Sequence, residues 1–263
     1  MIIYIATWPR CGNALTRNLL WLNFRLITAN GYPSTAPWPD KLRCDYFSDF
    51  VQYTDNDRPP RLALQHGALD RLNANPKLRR ACAAMKQHFL VKTHERPPVD
   101  PLDGEAYISL TRHPVRAVAS HTRMHADKPA GKMVRGFYQG GRYDEWHEAW
   151  QAAMPGVMFR YEDIIGKPQA FMRRAGELMG LTPPDIIKDM PMELSHKANP
   201  HRNPGLGLEG WKDYLSMEEA AYVWAEYGDA AKRFGYEPLH QDASSEPGKP
   251  LEKAAGQDPQ RRG

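Results

Sequence analysis

The sequence predicts an α/β fold: a single domain with a central parallel β-sheet, helices on both faces, and a P-loop-like phosphate-binding strand-loop-helix. Three observations predict it. Short apolar runs alternate with amphipathic stretches along the chain, as a parallel sheet with helical crossovers requires. The first such unit, IIYIATWPRCGNALTRNLL at residues 2–20, carries the features of an anion-binding turn. And 263 residues with 41% hydrophobic content suffice for one substantial core, with nothing in the composition that divides it. The domain is expected over residues 1–240. Residues 241–263 are polar and charged with hardly an apolar residue, and read as a disordered tail.

Composition also narrows function. A net charge of +4, from 35 basic and 31 acidic residues, lacks the excess of a general nucleic-acid binder and fits a local anionic ligand. Three cysteines (Cys11, Cys44, Cys82) without a CxxC pair argue against a disulfide framework or structural zinc. Reduced thiols in the cytoplasm are the simple reading. No stretch approaches the ~20 apolar residues of a membrane span. A strand that begins at residue 2 leaves no room for a signal peptide.

Each element follows in order. Ile2, Ile3, Tyr4, Ile5 and Ala6 have the length and β-branched content of a buried strand, which Pro9 ends. Gly12 and Asn13 open a helix whose stripe is Leu15, Leu19, Leu22 and Leu26, giving way near Gly31. Amides at that helix start point at the loop, and Arg10 adds a positive charge. Residues 32–60 read as a proline-rich loop anchored by aromatics, and residues 61–66 as a short strand. Asn75-Pro76 opens a helix to about Gln87. Phe89, Leu90 and Val91 form a strand that ends in Lys92-Thr93-His94. In open parallel sheets ligands bind at the carboxyl ends of strands, so Lys92 and His94 are expected near the Arg10 loop.

Residues 106–110 form a third strand, turned by Thr111-Arg112-His113-Pro114 into a helix that carries Ser120 two turns on. Between His121 and Gln151 the pattern loosens into a glycine-rich basic stretch, a mobile lid or a solvated loop, before helical spacing resumes at Tyr143, Trp146 and Trp150. Residues 157–161 are a fourth strand, and residues 167–179 a helix closed by Gly180. PGLGLEGW at residues 204–211 is a glycine-punctuated loop flanked by Arg202 and Lys212. Ser216 with Glu219 is a capping box for a last helix to about Phe234, stopped by Gly235.

Three chemistries compete for the opening loop. A nucleotide kinase or NTPase lacks its motif, since GxxxxGK[ST] is absent. A cysteine phosphatase is the rival: Cys11 and Arg17 form Cys-x5-Arg between a strand and a helix. The third is sulfuryl transfer. TWPRCGNALTRNLL resembles the 5′-phosphosulfate loop of the cytosolic-type sulfotransferases that depend on 3′-phosphoadenosine 5′-phosphosulfate (PAPS). LVKTHERP is similar to their lysine and catalytic-histidine strand, and ISLTRHPVRAVASH to their 3′-phosphate motif. FRYEDI is similar to their tyrosine segment and GLGLEGWKDYLS to their C-terminal glycine loop. The five occur in the family's order.

The resemblance implies PAPS as co-substrate, adenosine 3′,5′-bisphosphate (PAP) as product, and no metal. It implies that His94 is the general base, with Lys92 and Arg10 neutralising the leaving group. Arg10, Cys11, Gly12, Asn13, Ala14 and Leu15 would line the donor loop, with Arg112 and Ser120 on the 3′-phosphate, and Tyr161, Arg202 and Gly207 completing the site. The implied partner is a small-molecule, glycan or lipid hydroxyl acceptor rather than nucleic acid. Cys11 replaces the usual serine, Ala14 a threonine, and Leu15 the tryptophan that stacks on adenine. These departures suggest, as an alternative, a non-catalytic nucleotide-binding relative; retention of Lys92 and His94 weighs against it.

Overall fold

A computed structural model of the chain describes residues 1–26, 28–30, 76–86, 88–125, 129–137, 140–189 and 210–239. Several expectations lie outside the described residues: the segment 32–60, the strand at 61–66, Arg202, Gly207 and the tail at 241–263. Five strands form one sheet: β1 (Ile2–Ala6), β2 (Thr28–Asn30), β3 (Phe89–Thr93), β4 (Glu105–Thr111) and β5 (Gly156–Arg160). Their order is β2-β3-β1-β4-β5, and every pairing is parallel. The three inner strands are almost wholly buried, which explains why they read as continuous apolar runs rather than alternating ones.

Helices cover both faces. Leu15 and Leu19 of α1 (Asn13–Phe24), with Phe171 and Met172 of α7 (Gln169–Met179), pack on Ile3, Ile5, Leu90 and Ile108. On the other face lie α2 (Pro76–Ala84), α3 (Pro114–Met124), α4 (Ala130–Val134), α5 (Tyr143–Ala153) and α8 (Met217–Arg233). Their apolar residues meet Ile2, Tyr4, Val91 and Tyr107. A short helix α6 (Tyr161–Ile164) follows β5 directly. This is one α/β domain, as expected.

At the amino end of the sheet, the buried Glu105 carboxylate accepts from Arg79 Nε at 2.7 Å, Arg79 Nη2 at 2.6 Å, the Tyr4 hydroxyl at 2.9 Å and Leu102 N at 3.0 Å. A buried charge without such partners costs several kcal/mol, so this network locks α2 to β1 and β4 far from the strand ends where ligands bind.

Some boundaries differ from expectation. α1 stops at Phe24, short of Leu26 and Gly31, because Arg25 takes a left-handed conformation (φ 58°) and its N–H returns to Trp21 O. Thr28–Asn30 then pairs with β3 as an edge strand that the sequence did not announce. α2 ends at Ala84 rather than near Gln87. In its described part, the stretch after His121 is an anchored segment rather than a solvated loop. It contains α4, whose Ala130, Met133 and Val134 are buried, and Arg142 pairs with Asp144 and Glu226. The last helix has the expected capping box: Glu219 N donates to Ser216 Oγ and Ser216 N to the Glu219 carboxylate.

Candidate functional site

β1 and β4 are neighbours, yet the chain leaves β1 over one face through α1 and leaves β4 over the other through α3. Such a switch point opens a crevice at the carboxyl ends of the strands. The loop after β1, residues 7–12, sits there. Its shape is set by two left-handed residues, Arg10 (φ 69°) and Gly12 (φ 103°). Gly12 is required for a second reason: a Cβ there would stand 2.7 Å from both Leu110 Cδ1 and Tyr161 Cδ2.

α1 presents its amino end to the crevice. The first intrahelical bond runs from Thr16 N to Gly12 O at 3.0 Å, so the N–H groups of Asn13, Ala14 and Leu15 precede any helical acceptor. No side chain caps this end, and no acidic residue lies in its first turn. The Asn13 amide turns back to Ile5 O at 3.1 Å instead. This donor set, with cations around it, fits a phosphate or sulfate group.

The side chains of Cys11 and Leu15 do not face the crevice. Cys11 is fully buried in the layer of α3 and α5, and Leu15 in the layer of α1 and α7. Leu15 can therefore offer a ligand its main chain, while the Cys11 N–H is already used on Trp8 O at 3.1 Å. Burial also pushes the Cys11 thiol far above its ordinary range, outweighing the lowering by the Arg112 and Arg10 charges. A phosphatase needs a thiolate, so the Cys11 and Arg17 reading is corrected here: the loop buries its sulfur instead of exposing it to the helix amino end.

Parallel register brings the second segment alongside. Ala6 is opposite Thr93, so the residues one step beyond each strand, Thr7 and His94, meet. The His94 ring nitrogen Nδ1 lies 2.7 Å from Thr7 O, a carbonyl that can only accept. Nδ1 therefore carries the proton and Nε2 the lone pair. Burial and the positive charges of Lys92, Arg10 and Arg17 bring the His94 pKa down to about 3, against the raising effect of the Thr7 bond. The ring is neutral at pH 7. Lys92, two residues beyond Leu90, falls on the α1 face of β3. Arg17, buried in the second turn of α1, also acts on His94.

The main chain at His94 is held from the other face. Trp146 Nε1 donates to His94 O and to Glu95 O, each at 3.0 Å, and Trp150 Nε1 to Glu95 O at 3.0 Å. Gly140 permits the approach, since a Cβ there would lie 2.8 Å from His94 O. Thr7, Trp146 and Trp150 were not recognised in the sequence as site residues. Parallel pairing of residues 2–6 with residues 89–93 is the signal that would have found Thr7.

The third segment is the turn from β4 into α3. Arg112 Nη1 donates to Arg10 O at 3.1 Å, and its guanidinium lies over the Tyr161 ring, 4.7 Å from the centroid. Ser120 Oγ accepts from Arg10 Nε at 3.1 Å. Glu162 braces the turn by accepting from His113 N at 3.2 Å and from the Tyr236 hydroxyl at 2.8 Å. Arg10, Lys92, His94, Arg112, Ser120 and Tyr161 thus gather at one end of the sheet, and Gly12 to Leu15 contribute backbone.

No protein-family model matches the sequence, and no curated protein matches it. Solved structures do match the fold. Retinol dehydratase in complex with androsterone and inactive cofactor PAP aligns with a TM-score of 0.51 at 17% identity, covering 90% of this chain and 82% of that one. Mouse sulfotransferase SULT7A1 complexed with PAP gives a TM-score of 0.53 at 9% identity, covering 89% and 86%. The chain has the fold of these PAP-bound proteins. Among the described residues no helix is long and apolar enough to cross a membrane.

Proposed function

We propose that this protein is a PAPS-dependent sulfotransferase that moves a sulfuryl group to an acceptor hydroxyl, with His94 as general base. The observation that carries this reading is the Nδ1 bond to Thr7 O at 2.7 Å, which puts the ring proton on Nδ1 and the lone pair on Nε2 of an imidazole set among the charges of Lys92, Arg10 and Arg17. An alcohol is a poor nucleophile at neutral pH. A base that accepts its proton as the oxygen–sulfur bond forms is what the reaction needs.

The remaining residues divide the other tasks. As the bond from sulfur to the bridging oxygen breaks, negative charge collects on the departing bisphosphate. Lys92 and Arg10 supply fixed positive charge for it, as cationic clamps do in phosphoryl transfer. Main-chain N–H groups of Gly12 to Leu15 receive the 5′ group, and Arg112 and Ser120 the 3′-phosphate. Tyr161 orients Arg112. Androsterone in the matched retinol dehydratase structure makes a small hydrophobic alcohol or phenol the first acceptor class to examine, with glycans and lipids next. Three cysteines without a CxxC pair support a cytoplasmic setting.

His94→Ala tests the reading on a panel of phenols, alcohols and sugars with labelled PAPS. General-base catalysis is worth ~10²–10⁴-fold, so kcat should fall by that factor while PAP binding, measured by calorimetry, stays within about twofold. Unchanged turnover would remove His94 from the mechanism.

A further inference from the structure

Of the segment FRYEDI the donor reading uses only Tyr161, yet the residues on either side of it hold a partner of their own, the chain that follows α8. Gly235 ends that helix in a left-handed turn (φ 75°), and Tyr236 N returns to Ala231 O at 3.2 Å. Arg160 Nη1 donates to Gly235 O at 2.6 Å, and its guanidinium lies 5.4 Å from the centroid of the Tyr236 ring. That ring is buried. Its hydroxyl donates to Glu162 Oε2 at 2.8 Å and lies 3.1 Å from Thr111 Oγ1. The other carboxylate oxygen, Glu162 Oε1, accepts from His113 N at 3.2 Å, and His113 Nε2 lies 3.0 Å from Glu237 O. Thr111 and His113 are the two chain neighbours of Arg112. Both are therefore tied to residues 235–237, one directly and one through Glu162 as well.

We propose that Tyr236 is a positioning residue for the 3′-phosphate subsite: through Thr111 and Glu162 it fixes the turn that carries Arg112, so that the guanidinium is held over Tyr161 before the phosphate arrives. A side chain placed in this way loses little conformational freedom on binding, and a loosened turn makes it lose more. Both oxygens of Glu162 are in use, one on each side of the link. A carboxylate therefore suits the place, and an amide, with a single accepting oxygen, does not. The proposal rests on the donor reading above.

Calorimetric Kd values for PAP and for adenosine 5′-monophosphate test it in Tyr236→Phe, Glu162→Gln, Arg112→Ala and the double variant of Tyr236→Phe with Arg112→Ala. Tyr236→Phe keeps the buried ring and removes hydrogen bonds of a kind worth about fivefold each. PAP should then bind roughly tenfold more weakly, with the monophosphate within about twofold of wild type, and Glu162→Gln should act in the same direction. In the Arg112→Ala background Tyr236→Phe should change PAP affinity no further, because Tyr236 acts through Arg112. Unchanged PAP affinity in Tyr236→Phe, a loss shared equally by both nucleotides, or a loss that multiplies with that of Arg112→Ala overturns the proposal and leaves the donor reading standing. Wild-type protein that binds neither nucleotide, or binds PAP no better than the monophosphate, overturns both. Thermal melts separate a binding loss from unfolding, and Glu162→Gln decides the matter if Tyr236→Phe does not fold.

Discussion

At His94 two influences oppose each other: the Thr7 carbonyl favours the protonated ring, while burial and three cations disfavour it and hold the pKa near 3. A donor nucleotide brings several negative charges into the same field and must raise that pKa toward the ordinary histidine value of about 6.5. In the pH profile, kcat/KM reports the free enzyme and kcat the substrate complex. The acidic limb of kcat is therefore expected at least about one pH unit above any His94 limb in kcat/KM. Coincident limbs would mean that the donor does not reach the cations around His94. The residue types at this site were readable, because Lys92, His94 and Arg112 stand where apolar runs end. Their links were not. Arg10 and Ser120 are 110 positions apart, and no local pattern announces a bond between them.

On the scale of elements, the site depends on α5 as much as on the strands. Trp146 and Trp150 read as one apolar stripe of a helix, which they are, but their indole N–H groups also hold the carbonyls of His94 and Glu95. Trp146→Phe keeps the ring in the core and removes the donor, leaving buried carbonyl acceptors with one bond fewer. A loss of roughly 1–3 kcal/mol in stability is expected, with a fall in kcat and little change in PAP affinity. A fall in PAP affinity alone would show that α5 shapes the donor pocket rather than the base. Helix periodicity found α5 and could not find this, since periodicity records which face is apolar and not what a polar edge touches. α4 was hidden for a related reason. Gly131 inside it and Gly136 just after it made a five-residue helix look like loop.

For the whole molecule, the same burial that keeps imidazoles neutral makes the fold sensitive to acid. His113 and His147 are almost inaccessible, at 2% and 0% exposure, and burial lowers each to a pKa of about 4. Each ring uses one nitrogen, His113 Nε2 on Glu237 O and His147 Nδ1 on Tyr143 O. Among the described residues, the second nitrogen of each has no acceptor. Protonation would place a charged N–H there with nothing to bond. The unfolded chain, with histidines near 6.5, binds these protons first, so the stability from neutral burial is present above about pH 6.5 and is lost as pH falls toward 4. By pH 5 the loss is roughly 2 kcal/mol for each of the two, a large part of the ~5–15 kcal/mol that holds a domain together. Denaturant midpoints should fall steeply between pH 7 and pH 5. His147→Gln should be less stable at pH 7 yet lose less over that interval. A midpoint that stays level from pH 7 to pH 5 would show that neither ring is held neutral by the fold.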